Sequence, residues 1–176
     1  MRTILTLAAS TLLAMPGIAQ AAEPACLTKG EFSALAAYAM PSVIEGSTKR
    51  CSPSLGPDAY LTKNGTPLAK RYAARKDASW PQAKTAFFKF SQKKGDKSAE
   101  FMRQLPDDSL KQIVDTVLEG MTSQEIPLED CGTIDEFARL IAPLPAQNTA
   151  ELLTLLVGLT SKPGTGAMGK LAICKA

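Results

Sequence analysis

The 176-residue sequence contains no histidine. That absence excludes Ser-His-Asp triads, His-ligated zinc and haem attached through C-x-x-C-H, and it removes the commonest general base. Aromatic residues are scarce, at 6%. No apolar run reaches the ~18 residues that a membrane-spanning helix needs. No two of the four cysteines stand in C-x-x-C spacing, which gives no support to a thioredoxin-like role, and their wide spacing lacks the close pairs of a zinc site. No internal repeat and no convincing strand alternation is visible. What is present is ordinary for a folded chain: 45% hydrophobic and 21% charged residues. That composition excludes disorder across the whole sequence, and the length suits one domain.

Residues 1–21 read as a secretory signal peptide. Arg2 supplies the positive start, Ile4 to Met15 the apolar stretch, Pro16-Gly17 the break, and Ala19-Gln20-Ala21 a small-x-small cleavage site. Glu23-Pro24-Ala25 before Cys26 does not make a lipobox. The expected mature chain is a single domain from 22 to 176, periplasmic or secreted. An even cysteine count in an exported chain implies two disulfides. Chain geometry favours Cys26 with Cys51, because Pro41 and Gly46 can turn the chain back. It also favours Cys131 with Cys174, because a hairpin between them returns the chain.

Helical periodicity runs through almost the whole mature sequence. Thr28 and Glu31 have capping-box spacing, ahead of Phe32, Leu35, Ala36 and Ala39 on one face. Pro41 is expected to kink or end this helix. Residues 46–66 are turn-rich and read as a loop with one short helix near Asp58–Leu61. Thr66-Pro67 reads as the next helix start. Trp80, Ala83, Phe87 and Phe90 share a face after Ser79-Trp80-Pro81. Phe101, Met102 and Leu105 point inward from a short helix at 98–105. Asp107 or Asp108 is expected to cap a helix with Leu110, Ile113, Val114, Val117, Leu118 and Met121 at helical spacing. Thr133 to Glu136 is a second candidate capping box, and Asn148 a cap for the last helix. Leu152, Leu153, Leu155, Leu156, Val157 and Leu159 surround that helix, which is expected to be the central buried one. Leu153 or Leu156 to Ala is therefore expected to be among the most damaging changes. The fold expected is all-α: an irregular orthogonal bundle of six or seven short helices stapled by two disulfides, with an irregular glycine-rich tail from 162.

Charge is unevenly spread. Lys49 to Lys97 holds twelve Lys or Arg against three acids, and Ser98 to Glu151 holds three against eleven. Such asymmetry points either to an anionic partner or to one half folding against the other. The candidate anion-binding residues are Arg71, Arg75, Lys76, Lys93, Lys94 and Lys97. Lys84, Phe87, Phe88, Lys89 and Phe90 interleave basic and aromatic residues as single-strand binders do, but export separates the chain from nucleic acid.

Catalytic spellings fail on context. Gly164 to Gly169 spells G-x-G-x-x-G but follows a helix and leaves no room for the acidic residue ~20 positions on. Gly169-Lys170 is followed by Leu171 where a P-loop needs Ser or Thr. Ser91 and Lys94 match S-x-x-K without its partner motifs. Asp107-Asp108, Glu129-Asp130 and Asp135-Glu136 sit where helices start and favour the dipole there. The sequence therefore leads to an expectation of a small exported, non-enzymatic binding or structural protein of the envelope. No cofactor or metal is expected. The partner would be an anionic envelope component, with no nucleic acid, or another exported protein. The alternative is an inhibitor or immunity protein against a secreted enzyme, with a small hydrolase less favoured.

Overall fold

Thr28 and Glu31 form the expected capping box. The Thr28 amide donates to the Glu31 carboxylate (2.9 Å), and the Glu31 amide donates to the Thr28 hydroxyl (3.2 Å). The computed structural model describes residues 26–90, 97–160 and 173–174. The segment 1–21 read as a signal peptide and nearly all of the glycine-rich tail lie outside the described residues, as do Ser91 and Lys94. The described residues form seven helices: α1 Lys29–Cys51, α2 Tyr60–Ala73, α3 Lys76–Phe90, α4 Lys97–Gln104, α5 Asp107–Glu125, α6 Cys131–Ile141 and α7 Ala146–Thr160. A short 3-10 turn, Leu128–Asp130, precedes α6. The fold is all-α. Among the described residues the one β-type contact is a parallel bridge from Leu27 to Ile173.

The central helix is α1, not α7. Helices α2, α3, α5 and α7 all pack against it. Its buried residues lie all round its circumference and many are small: Ser33, Ala37, Ser42, Gly46 and Ser47 beside Tyr38, Met40 and Ile44. Small side chains let four helices approach one axis, and that makes a helix central more surely than leucine content does. Pro41 is buried inside α1, and the helix runs through it. Burial on every side outweighs the cost of about 3 kcal/mol for an interior proline.

The expected loop at 46–66 shrinks accordingly. α1 continues to Cys51 and α2 begins at Tyr60, so Asn64, Gly65 and Pro67 are helical. α2 starts early because its cap comes from elsewhere. Ala59 offers no capping side chain, but the Asp135 carboxylate on α6 accepts from the amides of Tyr60 (3.2 Å) and Leu61 (2.6 Å). Thr133 accordingly caps nothing, since α6 already begins at Cys131. Asn148 lies inside α7. α5 starts after Pro106 without a side-chain cap, leaving Asp107 and Asp108 in its first turn.

The largest core cluster joins Met40, Ile44 and Cys51 to Leu61, Leu68 and Tyr72 of α2 and to Cys131, Ala138 and Ile141 of α6. The Tyr72 hydroxyl ties α2 to the α6–α7 junction through the Ile141 carbonyl (2.9 Å) and the Thr149 hydroxyl (2.8 Å). A second cluster sets Tyr38 and Trp80, 4.8 Å between centroids, against Leu110 and Val114. A third gathers Leu27, Phe32 and Ala86 with Val157 and Ile173.

Both disulfide pairings differ from the expected ones. The bonds are Cys26–Cys174 and Cys51–Cys131. The reason is the length of α1. Cys26 precedes it and Cys51 ends it, and an unbroken 23-residue helix separates its ends by about 33 Å, far beyond disulfide reach. α7 then carries the chain from Thr149 beside Tyr72 to Val157 beside Phe32. That takes Cys174 away from Cys131 and delivers it to Cys26, with the Cys174 amide donating to the Leu27 carbonyl (2.9 Å).

The outer face of α7 is exposed, which overturns the expectation for its leucines. Leu156 is 46% exposed and Leu153 only half-buried. Phe101, expected inward, is also exposed. The expected order of damage therefore reverses. In urea melts Leu156→Ala should cost about 1 kcal/mol or less, while Leu68→Ala, at a position 2% exposed, should cost about 2–5 kcal/mol. A larger loss at Leu156 would place α7 in the interior after all.

Candidate anion-binding surface

The six candidate cations do not form one described patch. Arg71 is exposed on α2 and donates to the Ala142 carbonyl. Arg75 is exposed in the turn after α2. Lys76 turns inward: it pairs with Asp115 (2.6 Å) and sits 4.7 Å from the Tyr38 ring centroid. Lys93 and Lys94 lie outside the described residues, and of Lys97 only the backbone, at the start of α4, is described.

Part of the basic segment folds against the acidic one, and α5 is the meeting place. Lys49 pairs with Glu119, Lys76 with Asp115 and Lys84 with Asp107 (2.5 Å). Lys111 of α5 crosses in the other direction to Asp77 (2.7 Å). Lys89 pairs with Glu31 (2.6 Å). Exposed pairs of this kind add little stability, but they fix which face of α5 meets α1 and α3. The side chains between the lysines of α3 point inward: Phe88 is buried and Phe87 meets it edge-on. Neither ring is a free stacking platform.

The pairs shift titrations in predictable directions. The Lys84 ammonium holds the Asp107 carboxyl below its ordinary range. Lys111 does the same to Asp77, and Lys89, with the Thr28 amide, to Glu31. The hydrogen bond that Lys111 donates to Asp77 raises Lys111, and the one that Lys49 donates to Glu119 raises Lys49. Burial, then the Asp115 charge, raises the Tyr38 phenol. Depressed carboxyls contribute stability that is present above their ordinary pKa and lost as pH falls through the depressed one. Raised lysines and tyrosine contribute stability present below their ordinary pKa and lost as pH rises beyond it. The melting temperature should therefore be flat between these limits, fall below about pH 4 and fall again above about pH 10. A melting temperature that holds steady from about pH 4 down to about pH 2 would mean that the seam does not form.

An open depression of about 460 Å³ lies at the end of α1, lined by Lys49, Arg50, Pro53, Ser54, Ser123 and Leu128. Its polar groups are already engaged: Lys49 with Glu119, Arg50 Nε with the Ile126 carbonyl (2.9 Å), and the two serine hydroxyls with the Cys51 and Gly120 carbonyls. Among the described residues no group of three His, Cys, Asp or Glu could hold a metal ion. The acidic pairs serve the helices instead, and Asp135 does so for α2 rather than for its own helix.

No protein-family model, curated protein or solved structure matches the chain. Lys70, part of the basic run with Arg71, is exposed on α2. One feature of the surface is not legible in the sequence: the concentration of exposed large hydrophobics between Phe101 and Leu159, with none among the described side chains of α1, α2 and α3. Helical spacing signals a stripe but does not say whether a neighbour covers it. No helix among the described residues is long and apolar enough to cross a membrane. Two disulfides fit an oxidising compartment such as the periplasm or the cell exterior.

Proposed function

We propose that this chain is a small exported envelope protein that binds and does no chemistry, and that it meets an anionic envelope component through the unpaired remainder of its basic segment. The observation that supports this reading is the contrast within that segment. Lys49, Lys76, Lys84 and Lys89 are paired with acids of the chain. Lys70 and Arg75 are exposed beside Arg71, with no acidic partner among the described residues. Export rests on the leader read in residues 1–21 and agrees with the disulfides. The test is co-sedimentation of the mature protein with vesicles of acidic lipid and with purified cell wall. Binding should be present at ~20 mM salt and fall steeply at physiological salt, where the screening length is shorter. The Lys70→Glu, Arg75→Glu variant should lose it. No binding to either material at low salt overturns the reading.

A second reading, an inhibitor or immunity protein against a secreted enzyme, is favoured by the outer face of α5. Ile113, Val117 and Met121 are exposed in one row, with Asp108 near one end and Glu125 near the other, both exposed. That pattern suits a basic protein surface with an apolar centre. It predicts a one-to-one complex with an exported protein that survives physiological salt and is lost on Val117→Glu.

A further inference from the structure

α7 is inverted relative to a helix on the surface of a monomer. Its fully buried positions carry small or polar residues, Ala146, Thr149, Ala150 and Thr154, while Leu153 and Val157 are half-buried against the core. The hydroxyls inside are satisfied, Thr154 by the Ala150 carbonyl (2.7 Å) and Thr149 by Tyr72 (2.8 Å). Its outer face carries Leu152, Leu155 and Leu159, which are 40%, 60% and 74% exposed. These positions follow i, i+3, i+7, the spacing of a coiled-coil seam. Leucine exposed in this way lowers no energy in water.

We infer that the leucine face of α7 packs on the same face of a second copy of this chain, the two helices antiparallel about a two-fold axis. Three observations choose this occupant. First, a two-fold interface needs a patch complementary to itself, and a row of leucines meets that need because leucine packs on leucine. Second, the face has no cation to recruit lipid headgroups or the anionic partner proposed above. α7 carries one charge, Glu151, in its first turns. In an antiparallel pair the two Glu151 side chains fall at opposite ends of the seam, whereas in a parallel pair they would stand together and repel. Third, the face is held rigid. Val157 packs in the cluster of Leu27, Phe32 and Ile173, which the Cys26–Cys174 bond closes, so little ordering is lost on docking. The exposed parts of three leucines make a seam smaller than the ~800 Å² per partner of a standard interface. The dimer is accordingly a weak one that forms with rising concentration.

The experiment is sedimentation equilibrium of the oxidised mature protein across ~10 to ~500 µM, the range that such a sub-standard interface implies. The mass should rise from one chain toward two, and high salt should leave the rise unchanged or strengthen it. The Leu155→Glu, Leu159→Glu variant should stay monomeric throughout while keeping the helical signal and melting temperature of the parent. Both positions are exposed, so the variant folds. Val117→Glu, on the outer row of α5, should dimerise as the parent does. A parent that remains a monomer at the highest concentration overturns the inference. So does a dimer that the α7 variant leaves intact or that Val117→Glu abolishes. Vesicle binding through Lys70 and Arg75 is read separately and does not depend on this outcome.

Discussion

The paired variant Cys51→Ala, Cys131→Ala is expected to lose about 4–5 kcal/mol, enough to leave much of the protein unfolded at 37 °C. The cross-link spans 80 residues, and restricting a loop of that length in the unfolded chain is worth about 4–5 kcal/mol in the chain-entropy treatment. Total stabilities are only about 5–15 kcal/mol. The Cys26–Cys174 bond spans 148 residues, but loop entropy grows with the logarithm of length, so the longer loop gains only about 0.5 kcal/mol more. Burial decides the order. Cys51 and Cys131 are 0% and 1% exposed inside the main core cluster, where truncation also leaves a void, whereas Cys26 and Cys174 are partly exposed. Removing Cys51–Cys131 should therefore be the worse of the two. The same asymmetry means that a reductant applied to the folded protein should open Cys26–Cys174 first. A loss below about 1 kcal/mol in guanidinium melts of the Cys51–Cys131 variant would show that the core holds the α1–α6 junction without it.

The parts of this fold legible in the sequence are those set by local chemistry. The Thr28–Glu31 box, the stop at Pro143-Leu144-Pro145 and the helical class all depend on residues within a turn or two of each other. Features that depend on what a helix meets were not legible. Pro41, Gly46 and Gly65 look like breakers until four helices are seen packed on α1. Asp135 looks like part of its own helix start until its carboxylate is found on the amides of Tyr60 and Leu61. The disulfide pairing depends on two such features: a helix broken at Pro41 would put Cys51 near Cys26, and a hairpin that returned the chain would put Cys174 near Cys131, whereas α1 runs unbroken and α7 carries the chain away. The charge asymmetry was visible, with two readings open, and the pairs along α5 favour the internal one for Lys49, Lys76 and Lys84. Leucine content marked α7 as important but could not say that its leucines face outward, because composition carries no direction.

Glycine-to-alanine changes in two helices should have opposite signs, and this contrast tests the packing of α1 directly. In a helix interior the exchange favours alanine by about 1 kcal/mol, since glycine has more backbone freedom to lose. At Gly120 in α5 a new Cβ meets nothing within 4 Å, so the full gain should appear as a stabilisation of about 0.5–1 kcal/mol. At Gly46 in α1 the same atom would stand 2.7 Å from the Glu119 carbonyl oxygen and 2.8 Å from Thr122 Cβ. A backbone oxygen cannot rotate out of the way, so α5 must move off α1. That movement disturbs the Lys49–Glu119 pair and the bond from the Tyr38 hydroxyl to the Lys111 carbonyl (3.4 Å). Overpacking of this kind costs about 1–3 kcal/mol or more, which exceeds the gain in propensity. The net expectation for Gly46→Ala is a loss of about 2 kcal/mol, and Gly46→Val should lose more because its branched Cβ cannot turn away. Gly65→Ala should also destabilise, because the new Cβ would stand 2.9 Å from Thr48 Cβ, an atom that no rotamer change moves. Stabilisation by Gly46→Ala equal to that at Gly120 would mean that α5 stands further from α1 than described. The charged seam along Asp107, Asp115 and Glu119 would then have to form without close backbone contact.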